Sequence, residues 1–279
     1  MTAIFRLLSM LPLAVLHGFG WLMGWGVFVA SGVYRKRFLA NAHQAGIGMR
    51  DWLSAVGESG KLVGELPRVW LGRSVPVLWD GAQYVEAALS QGRGVVFLTP
   101  HMGCFEVAAQ AYVQRYGQTG KPMTVLFRPP RQAWLRAVVT ASRQRPGLLT
   151  APTTLSGVKQ LIKALKKGEC VGLVPDQVPP QGMGVMAPFF GRDAYTMTLS
   201  VRLVQQTGAT VLLAWGERLG WGRGYRVHVQ PMQASLPLDL TQAAAAVNQA
   251  MQGLIRQCPG QYLWGYARYK LPKTTAHES

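Results

Sequence analysis

In Thr99-Pro100-His101-Met102-Gly103-Cys104-Phe105-Glu106, residue types and spacing converge on proton transfer. A histidine stands just past a predicted strand, and a carboxylate follows five residues later, where a helix begins. On one continuous helix two such residues lie about 140° apart and do not meet. With His101 in the turn and Gly103 allowing a tight backbone, Glu106 in the first helical turn reaches back to one ring nitrogen. The carboxylate then fixes the tautomer and stabilises the imidazolium, leaving the other nitrogen to take a proton from a substrate hydroxyl. A helix start also disfavours a charged imidazole beforehand, which keeps the base neutral. The spacing is permissive, however: His101 as a helix cap with Glu106 as an ordinary first-turn acid satisfies it too.

Two further strand ends carry polar groups. Arg128 follows a second predicted strand, and its planar fork suits a phosphate or a developing oxyanion. Asp176 and Gln177 follow a third; they either orient an acceptor or cap the turn before Pro179-Pro180. Arg268 and Lys270 are candidates for lipid phosphates or for an ordinary surface patch. Other chemistries find no support. The cysteines at 104, 170 and 258 form no CxxC pair, no HExxH joins the five scattered histidines, and no GxSxG occurs, so neither metal nor cofactor is expected. Ser156-x-x-Lys159 lacks the companion motifs of a serine-lysine hydrolase.

The elements that must position these residues follow from hydrophobic patterning. Residues 39–79 read as helical with Pro67 as an interruption; 95–99, 123–127 and 170–174 read as strands; 105–116, 132–143 and 155–167 read as helices. A helix near 198–206, strands near 210–215 and 225–229, and a helix over 240–257 complete the chain. Strands alternating with helices predict an α/β fold, a mainly parallel central sheet flanked by helices, with ligands at the carboxyl ends of the strands.

Charge and hydropathy add a surface. Lys and Arg number 29 against 12 Asp and Glu, a formal charge of +17, yet charged residues are 15% of the chain, below the roughly 25% of an ordinary soluble domain. Residues 7–34 contain no charged side chain, and as a helix they reach roughly 42 Å, more than a ~30 Å hydrocarbon layer. Pro12 and five glycines interrupt the segment, so a tilted span and a segment lying in the interface both satisfy it. The predicted organisation is an N-terminal hydrophobic membrane-anchor helix over residues 1–37 and a body over 38–279. Arg35, Lys36 and Arg37 put that body on the cytoplasmic side. No zinc-finger, RNP or basic-zipper pattern accompanies the positive charge, so nucleic acid is not the expected partner. Anionic lipid or a phosphorylated lipid fits charge and apolarity together, and an acidic carrier protein is steered by the same field.

His101-x4-Glu106 resembles the HxxxxD/E motif of glycerolipid acyltransferases, and the closer likeness is to the late acyltransferases of bacterial lipid A synthesis. It extends through Phe127-Arg128-Pro129, Leu165-Lys166-Lys167-Gly168, Pro175-Asp176-Gln177, Pro188-Phe189-Phe190-Gly191, Thr207-Gly208-Ala209, Gln261-Tyr262-Leu263-Trp264 and Arg268-Tyr269-Lys270. Pro130-Arg131 and Gly265-Tyr266 depart from the pattern and leave acceptor identity open. The resemblance implies acyl transfer from an acyl-carrier-protein thioester to a hydroxyl of a Kdo-bearing lipid A precursor, a phosphorylated glycolipid. The transfer it implies is direct, with His101 expected as general base and Glu106 as its orienting partner. It also implies residence at the cytoplasmic face of the inner membrane. Two alternatives stand beside it: the same chemistry on a lysophospholipid or another glycolipid, and a catalytically silent basic protein that binds a lipid surface.

Overall fold

Val95-Val96-Phe97-Leu98 has no polar side, so it can be stable only where both faces of a strand are covered. It becomes β2 (Val95–Leu98), all four residues buried, near the centre of a seven-stranded sheet. The structure, a computed structural model, describes residues 2–127, 132–143, 145–233 and 235–272. Strands β1 (Val77–Asp80), β3 (Met123–Phe127), β4 (Leu148–Pro152), β5 (Cys170–Leu173), β8 (Thr210–Arg218) and β9 (Tyr225–Pro231) complete the sheet in the order β1-β9-β8-β2-β5-β3-β4. All neighbours are parallel except β8 and β9, which form a hairpin. Side chains alternate between two cores: Val95 and Phe97 pack with Val85 and Ala88 of α6 (Ala82–Ser90) and Val107 and Tyr112 of α7 (Phe105–Tyr116). Val96 and Leu98 face the opposite core, with Leu161 of α9 (Leu155–Lys166), Val201 of α10 (Leu199–Thr207) and Val247 of α11 (Leu240–Gln257).

The chain leaves β2 through α7, skips one strand position to reach β3, and passes through α8 (Ala133–Arg143), β4 and α9 before β5 enters beside β2. The β2/β5 register pairs Leu98 with Leu173, and the Thr99 amide donates to the Leu173 carbonyl at 3.0 Å. Two segments over seventy residues apart in sequence therefore leave the sheet side by side. A separate antiparallel hairpin of β6 (Gly184–Phe189) and β7 (Arg192–Met197) packs on α11.

The helical reading of 39–79 is corrected at its end. Three helices, α3 (Gly32–Gln44), α4 (Met49–Gly64) and α5 (Leu66–Leu71), are followed by strand β1, whose Val77, Leu78 and Trp79 pair with Tyr225, Arg226 and Val227 of β9. That pairing, like those of β4 and of the β6–β7 hairpin, is absent from the sequence reading.

Upstream lie α1 (Thr2–Met10) and α2 (Leu13–Ala30), the latter long and apolar enough to cross a membrane. One side of α2 packs on α4 through facing glycines, Gly20 and Gly24 against Gly57, Gly60 and Gly64. A Cβ on Gly20 would stand 2.7 Å from the Lys61 Cα, and one on Gly24 would strike the Val56 carbonyl. The backbones approach this closely because neither helix carries a side chain there. Gly24→Ala is accordingly expected to destabilise the chain by about 1–3 kcal/mol through overpacking. Gly26→Ala, whose Cβ meets nothing within 4 Å, should be neutral or gain up to about 1 kcal/mol of helix propensity. Unfolding midpoints of the two variants in detergent check the contrast.

Candidate active site

The turn after β2 is fixed by backbone bonds on several sides before any side chain acts. The Gly103 amide donates to the Gln261 carbonyl at 2.9 Å, the Cys104 amide to the Gly216 carbonyl at 2.8 Å, and the Leu263 amide to the His101 carbonyl at 3.2 Å. Gly103 has φ +55°, and a Cβ there would collide with the Gly216 carbonyl, so this position tolerates glycine alone without strain. His101 is thereby presented at the carboxyl edge of the sheet.

Its partner is Asp176, three residues beyond β5. Oδ2 accepts from the His101 backbone amide at 2.9 Å, and Oδ1 accepts from Nδ1–H at 2.6 Å. The Asp176 side chain is 1% exposed and the imidazole 13%. Burial by itself raises the Asp176 pKa; the charge of His101 and the two hydrogen bonds from that residue outweigh it and hold the carboxyl below its ordinary value. An ionised carboxylate on Nδ1 requires the proton on that nitrogen, which leaves Nε2 as the basic atom of the neutral ring.

His101 borders a cavity of about 410 Å³, within the range typical of small-molecule sites. Phe97, Phe105, Tyr112, Met123, Val125 and Leu173 give it an apolar wall. Its polar groups include His101, Glu106, Thr99, Thr153 and Gln177, and no serine or cysteine is among the described lining residues. Cys104 is fully buried outside the cavity, and burial together with the nearby charge of Glu65 pushes its thiol well above the ordinary range, so it is not a poised nucleophile.

Beneath the turn lies a second buried charge system. Arg218, at the end of β8, donates through Nε to Glu65 Oε2 at 2.8 Å and through Nη2 to Glu65 Oε1 at 2.7 Å. The same Nη2 donates to the Gly103 carbonyl at 2.6 Å. Tyr225 Oη and His17 Nε2 reach Glu65 Oε2 at 2.9 and 3.0 Å. Burial raises the pKa of Glu65, but the charge of Arg218 and the hydrogen bonds from His17 and Arg218 bring it down to about 2. Helix α2, the α4–α5 junction, β8, β9 and the His101 turn thus meet at one carboxylate.

The structure redistributes the candidate residues. The carboxylate on Nδ1 is Asp176, not Glu106; Glu106 is buried in the first turn of α7 and lines the cavity with His101. Asp176, expected to orient an acceptor or cap a turn, instead gives both oxygens to His101. Gln177 lines the cavity. A lipid-phosphate role for Arg268 does not fit its placement. It is 2% exposed, its guanidinium donates to the Tyr195 carbonyl, Thr196 Oγ1 and Asn248 Oδ1, and it stacks over Phe189. The carboxyl-terminal segment is thereby pinned to the β6–β7 hairpin. Lys270 is exposed, with its ammonium over the Tyr266 ring. Arg128 lies outside the described residues. Glu65, Arg218 and Tyr225 escaped the sequence reading because no local motif marks them.

Sequence comparison bears on what this geometry is for. Residues 67–271 match the family described as bacterial lipid A biosynthesis acyltransferase. The lipid A biosynthesis palmitoleoyltransferase of Escherichia coli K12 is 29% identical over 192 residues, 68% of this chain and 60% of that protein. The lauroyltransferase of the same strain is 28% identical over the same extent. The phosphatidylinositol mannoside acyltransferase of Mycobacterium tuberculosis H37Rv is 29% identical over 190 residues, 65% of this chain and 55% of that protein. The chain thus matches about 60% of the length of these E. coli relatives.

Glu65→Gln is expected to cost about 3–5 kcal/mol, because Arg218 keeps its buried charge and loses the closer of its two carboxylate partners, leaving Glu58 at 3.3 Å. Since Glu65 titrates at about 2 in the fold against an ordinary 4.5, its stabilisation is complete above about 4.5 and is lost as pH falls towards 2. Acid unfolding curves of wild type and Glu65→Gln should therefore converge across that window.

Proposed function

The chain belongs to the bacterial lipid A biosynthesis acyltransferase family, and from that premise we propose that it transfers a fatty acyl chain from a carrier-protein thioester to a hydroxyl of a phosphorylated, lipid A-type glycolipid. The observation that carries this reading is a histidine with its Nδ1 held by a buried aspartate at the border of an apolar cavity of about 410 Å³. An acyl chain fills such a wall, and Nε2 meets the hydroxyl.

In the proposed reaction Nε2 removes the hydroxyl proton as the oxygen attacks the thioester carbonyl. The tetrahedral intermediate collapses with cleavage of the carbon–sulfur bond, and the leaving thiolate takes the proton back from the imidazolium. Asp176 fixes the tautomer and stabilises the imidazolium between the two transfers, and Glu106 lines the cavity beside His101. No covalent acyl-enzyme is invoked. Gln177, Lys270 and Arg128 are assigned to the acceptor, the cations through its phosphates. The formal charge of +17 draws in an acidic carrier protein and the anionic inner membrane, with the body on the cytoplasmic face. A second acceptor class, phosphatidylinositol mannosides, is favoured by the likeness to the mycobacterial phosphatidylinositol mannoside acyltransferase.

Mass spectrometry of a tetra-acylated, Kdo-bearing precursor incubated with acyl-carrier-protein thioesters tests this. One acyl mass should be gained with wild type and with Cys104→Ala. His101→Ala and Asp176→Asn should each be slower by roughly 10²–10⁴. Glu106→Gln should lose less than Asp176→Asn, as it lacks the tautomer-fixing bond. Equal gain with His101→Ala would overturn the site, a dead Cys104→Ala would overturn direct transfer, and acylation of a mannoside alone would reassign the acceptor.

A further inference from the structure

Helix α2 has two unlike sides along its whole length. Leu16, His17, Gly20, Gly24 and Phe28 face the body: the glycines meet α4, Phe28 meets Phe38 and Trp52, and His17 is bonded to Glu65. Val15, Phe19, Leu22 and Val29 recur at helical spacing on the opposite side and are exposed, Phe19 and Leu22 at 63% and 62%. Ile4 and Leu7 of α1 are exposed as well. If α2 crossed a bilayer, α4 would be carried into the hydrocarbon beside it, with Arg50, Asp51, Glu58 and Lys61 on board. A helix packed from end to end on a charged neighbour does not cross; it lies down.

A second element joins this surface. The tip between β8 and β9 holds Trp221 at 93% exposure with φ +60°, a strained conformation for a bulky side chain. The tip is held against α2: a Cβ on Gly222 would clash with Ala14, and the Leu219 amide closes the loop on the Gly224 carbonyl at 3.0 Å. An indole presented this way, beside an apolar helix face, has the position and amphipathic shape of an interfacial anchor. Arg6 of α1 and Arg223 of the tip are exposed on this surface, and Lys36 and Arg37 are exposed in α3, which follows α2 directly. Their charge complements anionic headgroups.

We propose that α1, the outer side of α2 and the Trp221 tip form one monotopic seat on an anionic leaflet, with α2 lying in the interface rather than crossing it and Trp221 anchoring the tip. The inference is independent of acyl transfer, and its test reads binding and topology alone. The full chain is added to sealed, preformed phosphatidylethanolamine/phosphatidylglycerol vesicles and followed by flotation. Trp221→Ala should weaken binding about tenfold, equivalent to about 1.4 kcal/mol of lost apolar burial, without changing the unfolding midpoint. The exposed Leu238→Ala should bind as wild type does. In a Cys258→Ala background, a cysteine in a short N-terminal extension and Ser90→Cys should both react with an impermeant maleimide added outside. An extension protected until the vesicles are opened means that α2 crosses, and the proposal falls. Wild-type flotation by Trp221→Ala, or no binding of wild type to these vesicles, overturns it equally.

Discussion

One buried carboxylate, Glu65, holds the molecule together where its parts would otherwise be independent. It sits between two helices of the N-terminal segment, yet its partners come from a distant sheet strand, from that strand's hairpin neighbour and from the apolar helix α2. A charge taken out of water is tolerated only if every oxygen is met, and here the compensation is nearly complete: a guanidinium on both oxygens, a phenol and an imidazole. Its depression to about 2 records how strongly the ionised form is favoured. Removing any partner leaves the others unbalanced, which makes the arrangement a constraint on relative position more than a source of stability.

The constraint extends to the candidate site through Arg218. Its Nη2 is shared between Glu65 and the Gly103 carbonyl, so the turn that presents His101 rests on the same guanidinium that anchors the N-terminal helices. Above it, His101 and Asp176 are brought together by the parallel pairing of β2 and β5, and the same carboxylate that binds Nδ1 also binds the backbone amide of His101. Ring orientation and main-chain position are therefore set by one residue, an economy that reduces what must be ordered when a substrate arrives. The apolar wall of the cavity limits the water around this pair and strengthens its electrostatics.

Helix α2 illustrates how composition and context separate. Its length and apolarity satisfy the requirement for crossing a bilayer, but two of the glycines that interrupt it, Gly20 and Gly24, meet the glycines of α4, and its single histidine is committed to Glu65. One side of the helix is thereby committed to the body, and the other is left apolar and exposed.

The sequence by itself determined the elements whose hydrophobic period is local and the residues whose types are chemically distinctive. The doubly buried strands at 95–98 and 170–173, the amphipathic helices α7, α9 and α11, the basic character, and the position of His101 and of the polar groups just past β2 and β5 were all legible, because each follows from a few consecutive side chains. Tertiary structure decided the partnerships. Which carboxylate meets His101 depends on which strand lies beside β2, and 75 residues separate His101 from Asp176 while only five separate it from Glu106. Arg268 looked like a surface cation and is a buried tie, because its surroundings come from Tyr195, Thr196 and Asn248. Strand β1 was invisible for the same reason: its partner, β9, lies almost 150 residues away. Periodicity reports how a segment buries its own side chains, whereas hydrogen-bond and charge compensation is satisfied by whatever the fold brings near.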